Sequence, residues 1–377
     1  MSTTNVESGK RAFCITWTDG SVAELPFIWL RDNDRDELHP HTRERVFDLT
    51  SVDLDISPES FELAANELIV RWPGRSEASI YPLDWLRTHR PGQSRPDPSR
   101  VQRFLWDGAT LGSIPRVDAA ECARSPVALK AGLLLAKRVG LLIVEGLDDS
   151  PAAGEEFADL VGFKRETNFG VMFEVISKAE PNNLAYTSMR LPLHTDLPNQ
   201  KLIPGYQFLH SFKNDAKGGE SVFADGFRIC ADMEKEEPRA FELLKRVEVP
   251  WRFHDDSCDL RQRRPIIGQK TDGELEYFAF NAHIVDVPDM DVDLLYEFYA
   301  AYRELMVRVR DPKYTVQHAL EPGQMVVFDN LRVLHGRTAF DAASGDRHLR
   351  GYYIEQDEID SRIRVLSRDS VQDALTK

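Results

Sequence analysis

From about residue 11 to residue 90, apolar and polar positions trade places with the two-residue period of half-buried strands. Ala12 to Thr18 alternates, Asp19-Gly20 breaks the run as a hairpin signal, and Val22 to Trp29 resumes it. Glu67 to Trp72 and Ala78 to Tyr81 flank Pro73-Gly74 in the same way, and Trp85-Leu86-Arg87 closes the stretch. The run Arg90-Pro91-Gly92-Gln93-Ser94-Arg95-Pro96-Asp97-Pro98 then reads as an exposed linker. The pattern predicts a small β-rich N-terminal domain over 1–95 and a larger domain over 96–377.

The larger part opens on a helical period, with one apolar face over Ala128 to Arg138. A short buried strand follows over Val139 to Gly146. Further β runs are predicted at Tyr206–Ser211, Glu220–Phe223, Tyr277–Phe280, Tyr314–Val316, Met325–Phe328 and Arg350–Ile354. Helical stretches interrupt them at Pro238–Arg246 and Val292–Arg308. Many short strands with few helices predict a mainly β fold with helices, a double-stranded β-helix of the jelly-roll, cupin-like kind. No internal repeat or low-complexity tract is visible.

Composition narrows the partners. The 377 residues carry a formal net charge of −15, which disfavours nucleic acid and anionic membrane surfaces. No uncharged apolar run is long enough to span a bilayer, because Lys137 and Arg138 interrupt the best candidate. The opening Met-Ser-Thr-Thr-Asn-Val-Glu-Ser-Gly lacks a signal peptide's apolar stretch. Cys14, Cys122, Cys230 and Cys258 are scattered without a CxxC pair, as expected of reduced thiols in a cytoplasmic protein.

The chemistry concentrates in Arg190-Leu191-Pro192-Leu193-His194-Thr195-Asp196-Leu197-Pro198. In an extended strand His194 and Asp196 project to one side and can grip one metal ion. A third ligand is offered by His335, after the apolar run Met325-Val326-Val327-Phe328 and before Gly336. Two histidines and one carboxylate on one face of an iron leave three positions open for co-substrate and oxygen. Further on, Asp346-Arg347-His348-Leu349-Arg350 supplies guanidinium groups, and Arg347 suits the far carboxylate of a keto acid. A lone His-x-Asp is most often surface or core polarity; the order and spacing of His194, Asp196, His335 and Arg347 point to an iron/2-oxoglutarate oxygenase.

Several stretches carry a family resemblance. They are Trp29-Leu30-Arg31-Asp32-Asn33, Asn183-Leu184-Ala185-Tyr186-Thr187, His194-Thr195-Asp196, Gly218-Gly219-Glu220-Ser221 and Asp225-Gly226-Phe227. Phe328-Asp329-Asn330, His335-Gly336-Arg337, Arg347-His348-Leu349 and Ser361-Arg362-Ile363-Arg364-Val365-Leu366 complete the set. Over nearly its whole length the chain resembles the γ-butyrobetaine/trimethyllysine hydroxylase branch of the taurine-dioxygenase-like superfamily. The resemblance implies a double-stranded β-helix catalytic domain using Fe(II), 2-oxoglutarate and O2. It implies His194, Asp196 and His335 as catalytic iron ligands, and Arg347 on the 2-oxoglutarate C5 carboxylate with Leu209 and Ser221 beside it. It places Phe169, Phe173, Tyr186 and Tyr353 around a quaternary ammonium, and Asn183 and Asn281 at the substrate's anionic end. A trimethylammonium has no N–H to donate, so ring faces hold it, at roughly 0.5–2 kcal/mol per face.

The chain departs from the family at two places. Zinc-binding cysteines would follow Trp-Leu-Arg-Asp-Asn, whereas this chain reads Asp34-Arg35-Asp36-Glu37-Leu38-His39-Pro40-His41. His39 and His41 alone cannot close a tetrahedron, so no structural zinc is expected. Leu197 stands directly after Asp196, where relatives can carry an aromatic. The expected substrate is therefore a small trimethylammonium compound, either γ-butyrobetaine or the 2-(trimethylamino)ethylphosphonate that a bacterial relative in this branch hydroxylates. A phosphonate wants additional donors, for which Arg190, His283 and Arg350 are candidates. Rival readings are an oxygenase for a sulfonate or amino acid, and a non-catalytic metal-binding cupin sensor. A homodimer is expected by analogy with the branch.

Overall fold

The structure is a computed structural model that describes residues 5–148, 150–176 and 186–368. The chain divides into two compact units, Met1–Asp97 and Pro98–Lys377. Among the described residues the first unit holds two three-stranded antiparallel sheets. Strands Ala12–Thr16 and Val22–Pro26 pair across the Asp19-Gly20 turn, and Glu67–Arg71 pairs with Ser79–Pro82. The expected extension of the second strand to Trp29 fails, because Phe27–Asp32 is helical. Pro26 sets the turn into that helix, and a helical period buries Phe27, Leu30 and Arg31 together. The core of this unit gathers Phe13, Ile15, Leu25, Leu68, Trp72 and Tyr81.

The segment at Asp34 is organised by charge. Asp34 is almost wholly buried and accepts from Arg75 at 2.6 Å and from the Ser79 hydroxyl. Glu37 accepts from the same Arg75 at 2.9 Å and from Arg31 at 2.8 Å. Each buried charge finds its counter-ion inside the unit, which is the condition for tolerating it there.

Among the described residues the second unit is built on two large sheets, with three two-stranded ones beside them. Among the described residues the larger has six strands, in spatial order Arg116–Asp118, Leu141–Glu145, Met325–Asp329, Tyr206–Asn214, Arg347–Ile354 and Met172–Val175. The smaller has four: Leu191–His194, Val333–Arg337, Ser221–Asp225 and Thr315–His318. Period-two burial separates their faces. Val326 and Phe328 point between the sheets, toward Phe223 and Val333, whereas Met325 and Val327 point to an outer helical layer. This is a jelly roll with helices outside it.

More helix is present than the β-rich pattern predicted. Pro126–Val139 begins with a Ser125 side chain accepting from Ala128 N–H and ends at Gly140 with φ 80°. It packs with Pro151–Val161 and Gln356–Leu366 on the large sheet. Gly226–Glu236, Pro238–Arg246 and Val292–Arg310 form another cluster with Trp251, Ile267 and Phe278. No helix among the described residues is long and apolar enough to cross a membrane.

Candidate metal centre and its cavity

Strand Val333–Arg337 carries His335 between two neighbours, pairing it with His194 on one side and Phe223 on the other. The close approach needs Gly336, where a Cβ would sit 2.6 Å from the Leu191 carbonyl oxygen. His194 is the last residue of its strand, so Asp196 lies beyond the sheet and not on the same strand face as expected. Loop hydrogen bonds hold it there instead. Thr195 N–H donates to the Phe280 carbonyl at 2.7 Å, and Asp196 N–H donates to Asn330 Oδ1 at 2.6 Å. The Asn330 amide returns a bond to the Asp196 carbonyl at 3.1 Å. Leu197 then takes φ 58°, a left-handed conformation that costs a non-glycine residue on the order of 1 kcal/mol.

The ligand atoms of His194, Asp196 and His335 all lie within 4.8 Å of one another. His194 Nε2 is 3.3 Å from one Asp196 oxygen, and His335 Nε2 is 3.6 Å from the other. His194 Nδ1 sits 2.9 Å from the Pro192 carbonyl, a partner that fixes this nitrogen as the donor and turns Nε2 toward Asp196. Burial pushes His335 down to about 3, so its ring is neutral. Burial alone would raise Asp196, but the adjoining His335 and His194 and the Tyr353 hydroxyl hold it well below the usual carboxylate range. Neutral imidazoles and an ionised carboxylate are the forms a divalent metal binds. The donor set fits iron of the two-histidine, one-carboxylate type.

These three residues open into a cavity of about 400 Å³. Arg347 faces it from the first position of its strand, with Leu209 and Ser221 also in the wall. The Arg347 Nε is buried with no hydrogen-bond partner, and no carboxylate of the described residues pairs with this guanidinium. Burial, with Arg337 nearby, lowers Arg347 to about 9, so it remains a cation at neutral pH. Arg337 instead donates to the Thr187 and Met189 carbonyls. An inward cation without a counter-ion is a seat for an anionic ligand.

Aromatic faces make up another part of the wall. Phe169, Phe173, Tyr186 and Tyr353 all line the cavity. Phe173 stacks on Tyr353 with ring centroids 5.3 Å apart, directly above Gly351, where a Cβ would come within 2.1 Å of the Phe173 ring. Asn281 also lines the cavity, while its side chain accepts from His283 N–H at 3.1 Å. Asn183 lies outside the described residues.

Two expected donors are placed differently. Arg190 lines a separate cavity with Pro192 and Leu193. Strict alternation would put it on the His194 side, but the register shifts between Leu191 and His194 and breaks that alternation. Arg350 is paired with Glu174, at 2.7 Å from Nε, and is absent from the cavity wall. His283, the third, does face the cavity.

The hairpin Val249–His254/Asp259–Arg264 was not anticipated, and it contributes Arg252, Phe253 and His254 to the wall. Phe253 meets Phe169 edge-on at 5.4 Å. The alternating Val249-Pro250-Trp251-Arg252-Phe253 was a legible strand signal. Its arrival at this cavity was not, since that depends on Arg252 N–H pairing with the Ile284 carbonyl.

Known proteins share this framework. Residues 112–353 match the taurine catabolism dioxygenase TauD, TfdA family, and residues 4–87 match the gamma-butyrobetaine hydroxylase-like N-terminal family. A gamma-butyrobetaine dioxygenase of Pseudomonas sp. (strain AK-1) is 39% identical over 361 residues, 94% of this chain and 93% of that protein. The Homo sapiens gamma-butyrobetaine dioxygenase is 30% identical over 376 residues, 95% of each chain. In fold, the chain resembles an asparagine oxygenase structure at TM-score 0.51 and 16% identity, covering 63% of this chain and 82% of that one. With both domains matched and the metal-binding residues assembled, the chain belongs to the gamma-butyrobetaine dioxygenase branch of the TauD/TfdA family, enzymes working with Fe(II), 2-oxoglutarate and O2.

Proposed function

We propose that the enzyme hydroxylates an aliphatic C–H bond of a small trimethylammonium substrate, γ-butyrobetaine or its phosphonate analogue 2-(trimethylamino)ethylphosphonate. The observation that carries this reading is one cavity holding His194, Asp196, His335, a set of aromatic faces and Arg347, which no carboxylate of the described residues pairs with. His194, Asp196 and His335 would hold the iron, and Arg347 the far carboxylate of 2-oxoglutarate, with Leu209 and Ser221 against its chain. Iron, 2-oxoglutarate and O2 supply the oxidation when bound, with succinate and CO2 as co-products.

The protein's own part is placement. Phe169, Phe173, Tyr186 and Tyr353, with Phe253 added by the hairpin, offer ring faces to a cation that cannot donate hydrogen bonds. Asn281 remains the candidate for the anionic end, together with Asn183. Gripping both ends of a short substrate fixes which carbon faces the metal.

The head group turns on the remaining donors. The relative at 39% identity is a gamma-butyrobetaine dioxygenase, which favours a carboxylate. His283 and His254 at the same cavity favour the phosphonate, which has more oxygen atoms to satisfy, whereas Arg252 in the same wall is already paired with Asp259. Succinate release from the Fe(II)-loaded enzyme, offered each compound separately, decides between them. Turnover of neither, with 2-oxoglutarate still bound, would remove the trimethylammonium pocket and return the choice to a sulfonate or amino acid. A protein that binds 2-oxoglutarate but never forms succinate would be the cupin sensor. The enzyme is further proposed to act in the cytoplasm as a homodimer, and light scattering on the purified protein tests the latter.

A further inference from the structure

Asp196 presents two oxygens, and three open metal positions exist only if it uses one of them. A carboxylate turns easily about its terminal torsion, and no strand constrains this one, because it lies past the end of Leu191–His194. The only side-chain hydroxyl bonded to it among the described residues is that of Tyr353, which donates to Asp196 Oδ2 at 2.6 Å.

The donor is itself well anchored. Tyr353 sits in the strand Arg347–Ile354 opposite Gln207, and its carbonyl accepts from Arg165 N–H at 2.8 Å. Its ring is fixed by the stack with Phe173. A group held by strand pairing and ring packing can transmit a definite orientation to what it bonds.

We propose that Tyr353 is a positioning residue for the metal centre: its hydroxyl occupies Asp196 Oδ2 and keeps the carboxylate a one-oxygen ligand. This rests on the reading of His194, Asp196 and His335 as the iron ligands, and it adds a second duty to the ring face assigned to substrate. Outer partners of metal ligands typically contribute ten- to a hundredfold to metal affinity.

The test is Mn(II) titration followed by electron paramagnetic resonance, without substrate, on wild type, Tyr353→Phe, Phe173→Leu and Asp196→Ala. Tyr353→Phe keeps the ring and loses the hydroxyl. Its Mn(II) affinity is expected to fall about ten- to a hundredfold, and at saturating iron kcat falls while the KM for substrate barely moves. The visible charge-transfer absorption of its Fe(II)–2-oxoglutarate complex is expected to change as well. Phe173→Leu keeps the hydroxyl but loosens the ring that carries it, so it is expected to raise the KM for substrate and to weaken Mn(II) binding less than Tyr353→Phe does. Wild-type affinity in Tyr353→Phe, with Asp196→Ala binding no metal, overturns the positioning role and leaves the site intact. Wild-type affinity in Asp196→Ala overturns the metal site itself. If Tyr353→Phe loses the near-ultraviolet circular dichroism of the folded protein, Tyr353→Met carries the same expectation and the same refutation for Mn(II) affinity, the KM comparison being set aside because the ring is lost.

Discussion

Two inward-facing arginines of the catalytic unit show how differently this fold treats charge. Arg332 is fully buried, 2.7 Å from an equally buried Asp225, and it also donates to the Phe104 and Arg138 carbonyls. Arg347, on the neighbouring large sheet, has a buried Nε with no partner and faces an open cavity. The first arginine is satisfied by the protein and ties the Asp225 turn to the loop before Val333–Arg337. The second must be satisfied by something the protein binds. The Asp34 cluster of the N-terminal unit belongs with the first kind, since Arg75, Ser79 and Asp34 complete one another. Charges closed on themselves build the fold, and a charge left open marks the site.

That contrast can be broken experimentally. The largest effect is expected from Asp196→Ala, which should abolish metal binding and succinate release while circular dichroism shows the metal-free protein still folded. Next, Asp225→Asn or Arg332→Met alone should cost about 3–5 kcal/mol of stability, because each strands a buried partner. Urea unfolding of the metal-free enzyme measures it, and a loss well under 1 kcal/mol would show that this pair is not the lock described.

Arg347→Met should do the reverse. Losing one half of a buried charged contact costs about 2 kcal/mol or more, so the KM for 2-oxoglutarate should rise at least ~30-fold. The melting temperature should not fall, since no carboxylate of the described residues is stranded. A clear drop in melting temperature would move Arg347 into the structural class. Asp34→Ala should destabilise by roughly 1–3 kcal/mol, through the donors it leaves unpaired, with unchanged kinetics for 2-oxoglutarate.

The smallest effect is one of pH. Burial lowers His210 from its ordinary 6.5 to about 4, with Asp148 pulling the other way. Between those values the unfolded chain binds more protons than the folded one, so stability is lost as pH falls from 6.5 toward 4. His210→Phe should flatten that slope in urea unfolding curves taken across the window. An unchanged slope would assign the acid sensitivity to other groups.

Much of this was readable from residues alone. Helix Pro238–Arg246 coincides with its predicted range, and strands Met325–Asp329 and Tyr206–Asn214 contain theirs, because their burial follows a local period. The apolar stretch Phe27-Ile28-Trp29 was misread as strand, since so short a run fits either period and Pro26 decided it. Arg190, His283 and Arg350 were equal candidates by sequence, and only the structure puts His283 in the wall of the metal cavity and Arg190 and Arg350 elsewhere. Arg252, Phe253 and His254 were missed because nothing local says where a hairpin will lie.

By itself, the sequence determined the kinds of groups available: two imidazoles, one carboxylate, a guanidinium and several rings, in an order that matches one family. It also determined the periods from which two sheets could form. Only the tertiary structure decided that Asp196 would be held by Asn330 and Tyr353 and not by strand geometry. It alone left Arg347 without a counter-ion among the described residues and brought Phe253 to Phe169. The physical reason is range. Periodicity and turn chemistry act over a few residues, whereas pairing a buried charge or closing a cavity depends on groups far apart in the chain, whose meeting is set by the packing of the sheets.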